Sequence, residues 1–119
     1  MLDEKNSPHS RHGGACKTCY GGVTISSKDY SKITRNSHWY DVAHASSVIR
    51  PGARRLNTVI GPCKGVQQIM YLNPDQSIGV IILNKNDRTE ELTFTTSSSD
   101  KKVTCSLPAK SVTSLDWKL

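Results

Sequence analysis

Apolar residues fall into short runs separated by polar, turn-forming stretches, and the period of the runs changes twice along the chain. Residues 1–22 are polar, rich in glycine and serine, and show no apolar periodicity, so they read as one long loop. Short extended pieces are expected at 23–26 and 31–34, around a turn at 27–30. The period then lengthens. Trp39, Val42, Ala43 and Ile49 follow one helical stripe, and Tyr40, Ala45 and Val48 widen it. Asn36 or Ser37 caps this helix, which runs to about Arg50 and is stopped by Pro51-Gly52. So broad a stripe predicts burial on more than one side, with Trp39 and Tyr40 in a core.

Beyond Pro51 the pattern shortens to strands and no second helix is expected. Residues 53–60 and 66–72 are extended, with Asn73-Pro74-Asp75-Gln76-Ser77 as the next turn. Residues 78–83 are apolar on both faces apart from Gly79, which predicts a central strand. A turn at 84–87 precedes the half-buried strand of Leu92 and Phe94, and 97–100 turns the chain again. Val103, Cys105 and Leu107 alternate, as do Leu115, Trp117 and Leu119, so Cys105 points into a core. Clear turns between short strands indicate an antiparallel sandwich. The expected fold is therefore mainly β: an antiparallel β-sandwich preceded by a long loop and one α-helix. Residues 53–119 supply five or six strands, where about seven in roughly 100 residues is usual. One helix without a partner helix points the same way, to a piece of something larger.

Composition narrows the function. The 119 residues carry 16 Lys+Arg against 10 Asp+Glu, a net charge of +6. The excess is concentrated in residues 21–55, with Lys28, Lys32, Arg35, Arg50, Arg54 and Arg55 against two acids. No run of five basic residues occurs, and 6% aromatics cannot build a base-stacking platform, so nucleic acid is not the expected partner. The longest apolar run, at 80–83, is far below the roughly 20 residues that span a bilayer. The first six residues lack the basic and apolar regions of a secretory signal.

The cysteines are Cys16, Cys19, Cys63 and Cys105. With His9 and His12 upstream, Cys16-x2-Cys19 offers four zinc ligands of suitable type. All four would come from one short loop, whereas structural zinc sites draw ligand pairs from two separate elements. A turn closed by a Cys16–Cys19 disulfide, or a plain structural turn, is the favoured reading, and neither metal nor cofactor is expected. A redox role would need the pair at a helix N-terminus, and glycines with Val23-Thr24-Ile25 follow instead. Cys63, in a Gly-Pro-Cys-Lys-Gly loop, is expected to be unpaired or only loosely placed.

These motifs, taken in order, resemble the C-terminal part of glycoside hydrolase family 30, which includes glucosylceramidases and related microbial β-glycosidases. Leu2-Asp3-Glu4-Lys5-Asn6-Ser7-Pro8 resembles the family's Leu-Asp-Glu-Asn-Gly-Gly-Pro, and Cys16-Lys17-Thr18-Cys19-Tyr20-Gly21 its Cys-x-Thr-Cys-x-Gly loop. Trp39-Tyr40-Asp41-Val42-Ala43-His44-Ala45-Ser46-Ser47-Val48-Ile49-Arg50-Pro51-Gly52-Ala53 is similar to Tyr-Tyr-x-x-x-His-x-Ser-x-x-(Ile/Val)-x-Pro-Gly-(Ala/Ser). Asn73-Pro74-Asp75-Gln76-Ser77 and Val80-Ile81-Ile82-Leu83-Asn84 resemble Asn-Pro-Asp-Gly-Ser and Val-Val-Val-Leu-Asn, and the 107–117 stretch resembles the closing strand. Three positions depart: Gln76 replaces a turn glycine, Ala45 a common aromatic and Asp116 an apolar residue.

The resemblance implies a (β/α)8 barrel with a side sandwich. Residues 1–50 would be the end of the last barrel strand, the loop after it and the last barrel helix, and 51–119 the C-terminal β-sandwich domain. It implies retaining hydrolysis of β-glucosidic bonds in glycolipid or glucan by two glutamates about 5–5.5 Å apart. The family carries them on barrel strands four and seven, upstream of this chain. Asp3 and Glu4 match neither position, and Glu90 and Glu91 fall in the sandwich, so the chain alone is expected to be supporting and non-catalytic. Loops after barrel strands line the pocket, which makes His9, His12, Lys17 and Thr18 the expected substrate-binding residues and the rest of the barrel the expected partner. His44 reads as a packed, hydrogen-bonded helix residue. Such enzymes are extracellular, periplasmic or lysosomal. The alternatives are a stand-alone carbohydrate-binding or interaction sandwich and a small zinc-binding module.

Overall fold

A computed structural model describes residues 21–118 apart from 27, 29, 60, 62, 97 and 98. The expected substrate-binding residues His9, His12, Lys17 and Thr18, the Cys16–Cys19 pair and the four candidate zinc ligands lie outside the described residues. The chain divides into two compact units, Met1–Ala43 and His44–Leu119.

In the first unit, β1 (Val23–Ile25) and β2 (Ile33–Arg35) pair antiparallel, with Thr24 opposite Thr34. Tyr30 closes the intervening turn at φ 56°, in the left-handed region. The helix α1 (Ser37–Val48) starts directly after Asn36, whose carbonyl accepts from Trp39 N at 3.0 Å. The apolar stripe does not bury this helix on two sides. Val48 is its one buried residue; Trp39 is half-buried, while Tyr40 is 51% and Val42 67% exposed. The ring of Tyr40 meets that of Trp39 edge-on at 5.1 Å, so the pair packs on itself rather than into a core.

The second unit is the sandwich. Its larger sheet has the order β3 (Arg54–Arg55), β4 (Val66–Leu72), β5 (Ser77–Asn84), β8 (Ser111–Lys118), all antiparallel. The smaller pairs β6 (Glu90–Thr96) with β7 (Ser99–Leu107). The expected 53–60 strand shrinks to two paired residues, because after Leu56 N bonds Met70 O at 2.9 Å the chain leaves the ladder. The second turn is also shorter than expected, since β7 already begins at Ser99 across an irregularity at Thr95/Thr96.

Pleat alternation makes the core. Val80 and Ile82 of β5 and Val66 of β4 face Phe94 and Leu107 of the smaller sheet, with Met70, Leu92, Val103, Leu115 and Trp117 around them. Val80, Ile82 and Leu107 are fully enclosed. Burial of each such side chain is worth about 1.5–3 kcal/mol. Cys105 takes its expected half-buried place against this core. Cys63 is unpaired, one of the two readings expected of it, and it packs against the same cluster. Burial pushes the Cys105 thiol up from its ordinary pKa.

Two turns set how α1 meets the sheet within this unit. Gly52, at φ 85°, makes the reversal after Pro51 that only glycine adopts freely, and Ala53 N returns to Arg50 O at 2.9 Å. The 73–77 turn is a three-residue hairpin loop closed by Asn73 N to Ser77 O (2.8 Å), with Gln76 at φ 64°. A side chain at positive φ costs about 1–2 kcal/mol, part of which glycine returns as unfolded-chain entropy. Gln76→Gly is therefore expected to stabilise the domain by about 0.5–1 kcal/mol, read as a higher thermal midpoint.

Candidate functional site

Within the first unit, the polar contacts of the described residues centre on Asn36. Its side-chain amide donates to Gly21 O and to Thr24 Oγ1, both at 2.8 Å, and its backbone N–H donates to Gly22 O at 3.0 Å. Gly22 lies against the first turn of α1: a Cβ there would sit 3.7 Å from Trp39 N and Cα. The guanidinium of Arg35 stacks over the Trp39 ring, 4.4 Å from its centroid. The start of the helix, both hairpin strands and the chain entering β1 are thus tied to one asparagine. Sequence reading saw Asn36 only as a helix cap. A polar residue wedged between a Gly-Gly entry and an amphipathic helix was the available signal.

In the second unit, His44 Nδ1 lies 2.8 Å from Ser114 Oγ, which also donates to His44 O at 3.3 Å. This is the packed, hydrogen-bonded histidine expected of it. Two buried asparagines hold the strand ends. Asn73 Nδ2 donates to Val48 O and Ser77 Oγ (2.9 Å each), and its Oδ1 accepts from Arg50 N (2.9 Å). Asn84 Nδ2 spans Arg88 O, Leu107 O and Pro108 O at 2.9–3.1 Å, and its Oδ1 accepts from Asn86 N at 3.0 Å.

Among the described residues, the acidic side chains do not assemble a hydrolytic pair. Glu90 and Glu91 are adjacent in β6, so their side chains leave opposite faces. Glu90 takes Arg88 Nε at 2.7 Å and Asn86 Nδ2 at 2.9 Å, and the Arg88 bond holds its carboxyl below the ordinary carboxylate range. Asp75 is likewise lowered, by accepting from the Ser77 hydroxyl and backbone N–H. Both carboxylates are structural and ionised. Among the described residues no group of three or more His, Cys, Asp or Glu is placed to hold a metal. The six basic residues of 21–55 all lie exposed.

A groove of about 600 Å³ lies in this unit between 56–61 and β6. Leu56, Met70, Leu92 and Phe94 give it an apolar floor, with Thr93 and Thr95 alongside. Its lining holds no carboxylate. Among the described residues, no helix is long and apolar enough to cross a membrane.

A two-sheet antiparallel sandwich led in by a helix, with buried asparagines at its strand ends, defines a β-sandwich domain. The sequence profile of the glycosyl hydrolase family 30 beta sandwich domain matches residues 52–115, more than half of the chain, and the chain belongs to glycoside hydrolase family 30. It is 36% identical over 97% of its length to an endo-1,6-β-D-glucanase, Neg1, of Aspergillus fumigatus, of which it covers 23%. A solved endo-β1,6-glucanase superposes with a TM-score of 0.88 at 36% identity, over 99% of this chain and 25% of that one. SrfJ of Salmonella typhimurium shares the fold at TM-score 0.81 and 21% identity, over 99% of this chain and 25% of its own. The chain thus spans about a quarter of the length of these relatives.

Proposed function

We propose that this chain is the C-terminal, supporting part of a retaining endo-β-1,6-glucanase. The observation that carries the reading is the 36% identity, over 97% and 99% of the chain, to two proteins named as endo-1,6-β-glucanases. Of the glycolipid and glucan substrates left open by the wider family, it favours β-1,6-glucan. In this reading the nucleophile and the acid glutamate come from a barrel that precedes the chain, and two carboxylates about 5–5.5 Å apart perform the double displacement. The chain supplies the last barrel helix, the sandwich that braces it, and a loop carrying His9, His12, Lys17 and Thr18 at the pocket rim. Closure of Cys16 onto Cys19 would rigidify that loop, as suits an exported, extracellular enzyme.

The test is a chimera in which this chain replaces the matching quarter of the solved endo-β1,6-glucanase. The chimera is expected to release reducing sugar from β-1,6-glucan, and the 119-residue chain alone to release none. Turnover of β-1,6-glucan or an aryl β-glucoside by the isolated chain, surviving control purification, would overturn the supporting role. A folded chimera inert on β-1,6-glucan would overturn the substrate.

A further inference from the structure

The outer face of the larger sheet, turned away from Phe94 and Leu107, is only partly covered. Register places Arg55, Tyr71, Gly79 and Asp116 side by side in one row across it. The last turn of α1 sits at that end: the Val48 carbonyl oxygen lies over Gly79, and His44 Nδ1 meets Ser114 Oγ at 2.8 Å. The next two rows are Ile69–Ile81–Ser114 and Gln67–Leu83–Val112. They hold four aliphatic side chains and no charge. Ile69 is 37% and Val112 41% exposed. A shallow depression of about 200 Å³ lies against Ile69, Ile81 and Leu83. A strand apolar on both faces is one that is buried on both, yet in β5 only Ile78, Val80 and Ile82 on one face, and Gly79 on the other, meet that demand among its apolar positions.

We infer that Ile69, Ile81, Leu83 and Val112 form the docking surface for a second helix, supplied by the part of the enzyme outside this chain and lying beside the last turn of α1. This rests on the reading above of the chain as part of a larger glucanase. The patch is continuous with the α1 seat, since Ser114, which binds His44, is the cross-strand neighbour of Ile81. The layer over a sheet face is built from one kind of element, and α1 makes this layer helical. The described residues contain no other helix, and the chain spans about a quarter of the relatives it matches. A second copy is the poorer occupant. Four side chains fall far short of the roughly 20–30 residues a side that a stable interface between separate molecules uses, whereas an element tethered in the same polypeptide needs no such area. With no charge in these two rows, the complementary helix presents apolar residues at i, i+3 or i+4, and i+7.

The test uses the chimera, with one added cysteine at a time labelled by a maleimide and read peptide by peptide, so that the native thiols do not interfere. Val112→Cys and Ile69→Cys are expected to react at least about tenfold more slowly than Thr104→Cys, which lies exposed on the outer face of the smaller sheet. In denaturant all three should react alike. p-Benzoylphenylalanine in place of Gln67, at the rim of the patch, should cross-link within one molecule to a helical peptide of the glucanase portion. Equal labelling of the three sites in the folded chimera means an open face and overturns the inference. So does a cross-link to a second molecule, or slow labelling that recovers on dilution, because the occupant is then another copy. A cross-link to a peptide that is not helical overturns it as well, as does a chimera that cannot fold. Should Ile69→Cys not fold, Val112→Cys carries the same readout. None of these measurements needs turnover: a chimera protected at Val112 but inert on β-1,6-glucan refutes the glucan reading and leaves the docking surface standing.

Discussion

Gly79→Ala is expected to destabilise the sandwich by about 3 kcal/mol, the upper end of the usual cost of overpacking. Gly79 lies in the middle of β5, between Tyr71 of β4 and Asp116 of β8, and its backbone is ordinary strand. Its need for glycine is therefore spatial and not conformational. A Cβ would collide with the Val48 carbonyl oxygen, would stand 2.9 Å from that carbonyl's carbon, and would press on Val48 Cβ at 3.4 Å. A flexible side chain could swing aside. A backbone carbonyl cannot, because Asn73 Nδ2 holds it at 2.9 Å and Val48 is itself buried. The methyl group must push the end of α1 off the sheet, breaking that bond as well. Urea denaturation should show a lower midpoint with an unchanged slope; a midpoint within error of the parent would mean that the helix end is not seated as described.

The second large effect is expected at Asn84, which is 1% exposed. Its amide serves three carbonyls from two segments, and its oxygen takes the Asn86 N–H. Asn84→Ala removes all of these bonds and leaves the buried Leu107 carbonyl and the part-buried Pro108 carbonyl without that donor, for an expected loss of about 3 kcal/mol. Asn84→Asp sharpens the test. It keeps the shape but turns the donor into a carboxylate facing three carbonyl oxygens, which raises the new group's folded pKa above its unfolded one. A group with a raised folded pKa favours folding below the unfolded pKa, so this variant should regain stability relative to the parent as pH falls through that range. A constant gap from pH 7 to pH 4 would show that the amide's donors are not what hold the strand end.

These two sites mark the limit of what the sequence disclosed. The strands of the sandwich were legible because period-2 alternation reports burial directly: Val103, Cys105 and Leu107 alternate, and β5, apolar on both faces, is central. Gln76 was legible as a departure from a glycine turn, and its positive φ accords with that reading. The asparagines were not. Asn84 and Asn73 look like any turn residue, and nothing local says that the side chain points inward to collect carbonyls 23–25 residues away. Gly79 stood out only as the exception in an apolar strand, when it is the clearance for a helix terminus more than 30 residues earlier in the chain. Tyr40 misled in the other direction. Its helical spacing matches a buried stripe, yet covering it requires packing partners that residue spacing alone does not supply. The groove between 56–61 and β6 was invisible for a related reason, since a two-residue β3 cannot be foreseen from a segment as extended as 53–60.

The order of the larger sheet has a consequence for how the domain folds. β5 finds β4 across a three-residue loop, but its other neighbour is β8, and residues paired between them stand 27 to 41 positions apart. Loop-closure entropy disfavours that encounter in an open chain. The β6–β7 hairpin lies inside the intervening stretch and is locally paired, so forming it first ties Glu90 to Leu107 and shortens the effective loop to a few residues at each side. Folding is thereby directed through one hairpin, and the rate at which β8 arrives is governed by a pair of strands that it does not hydrogen-bond.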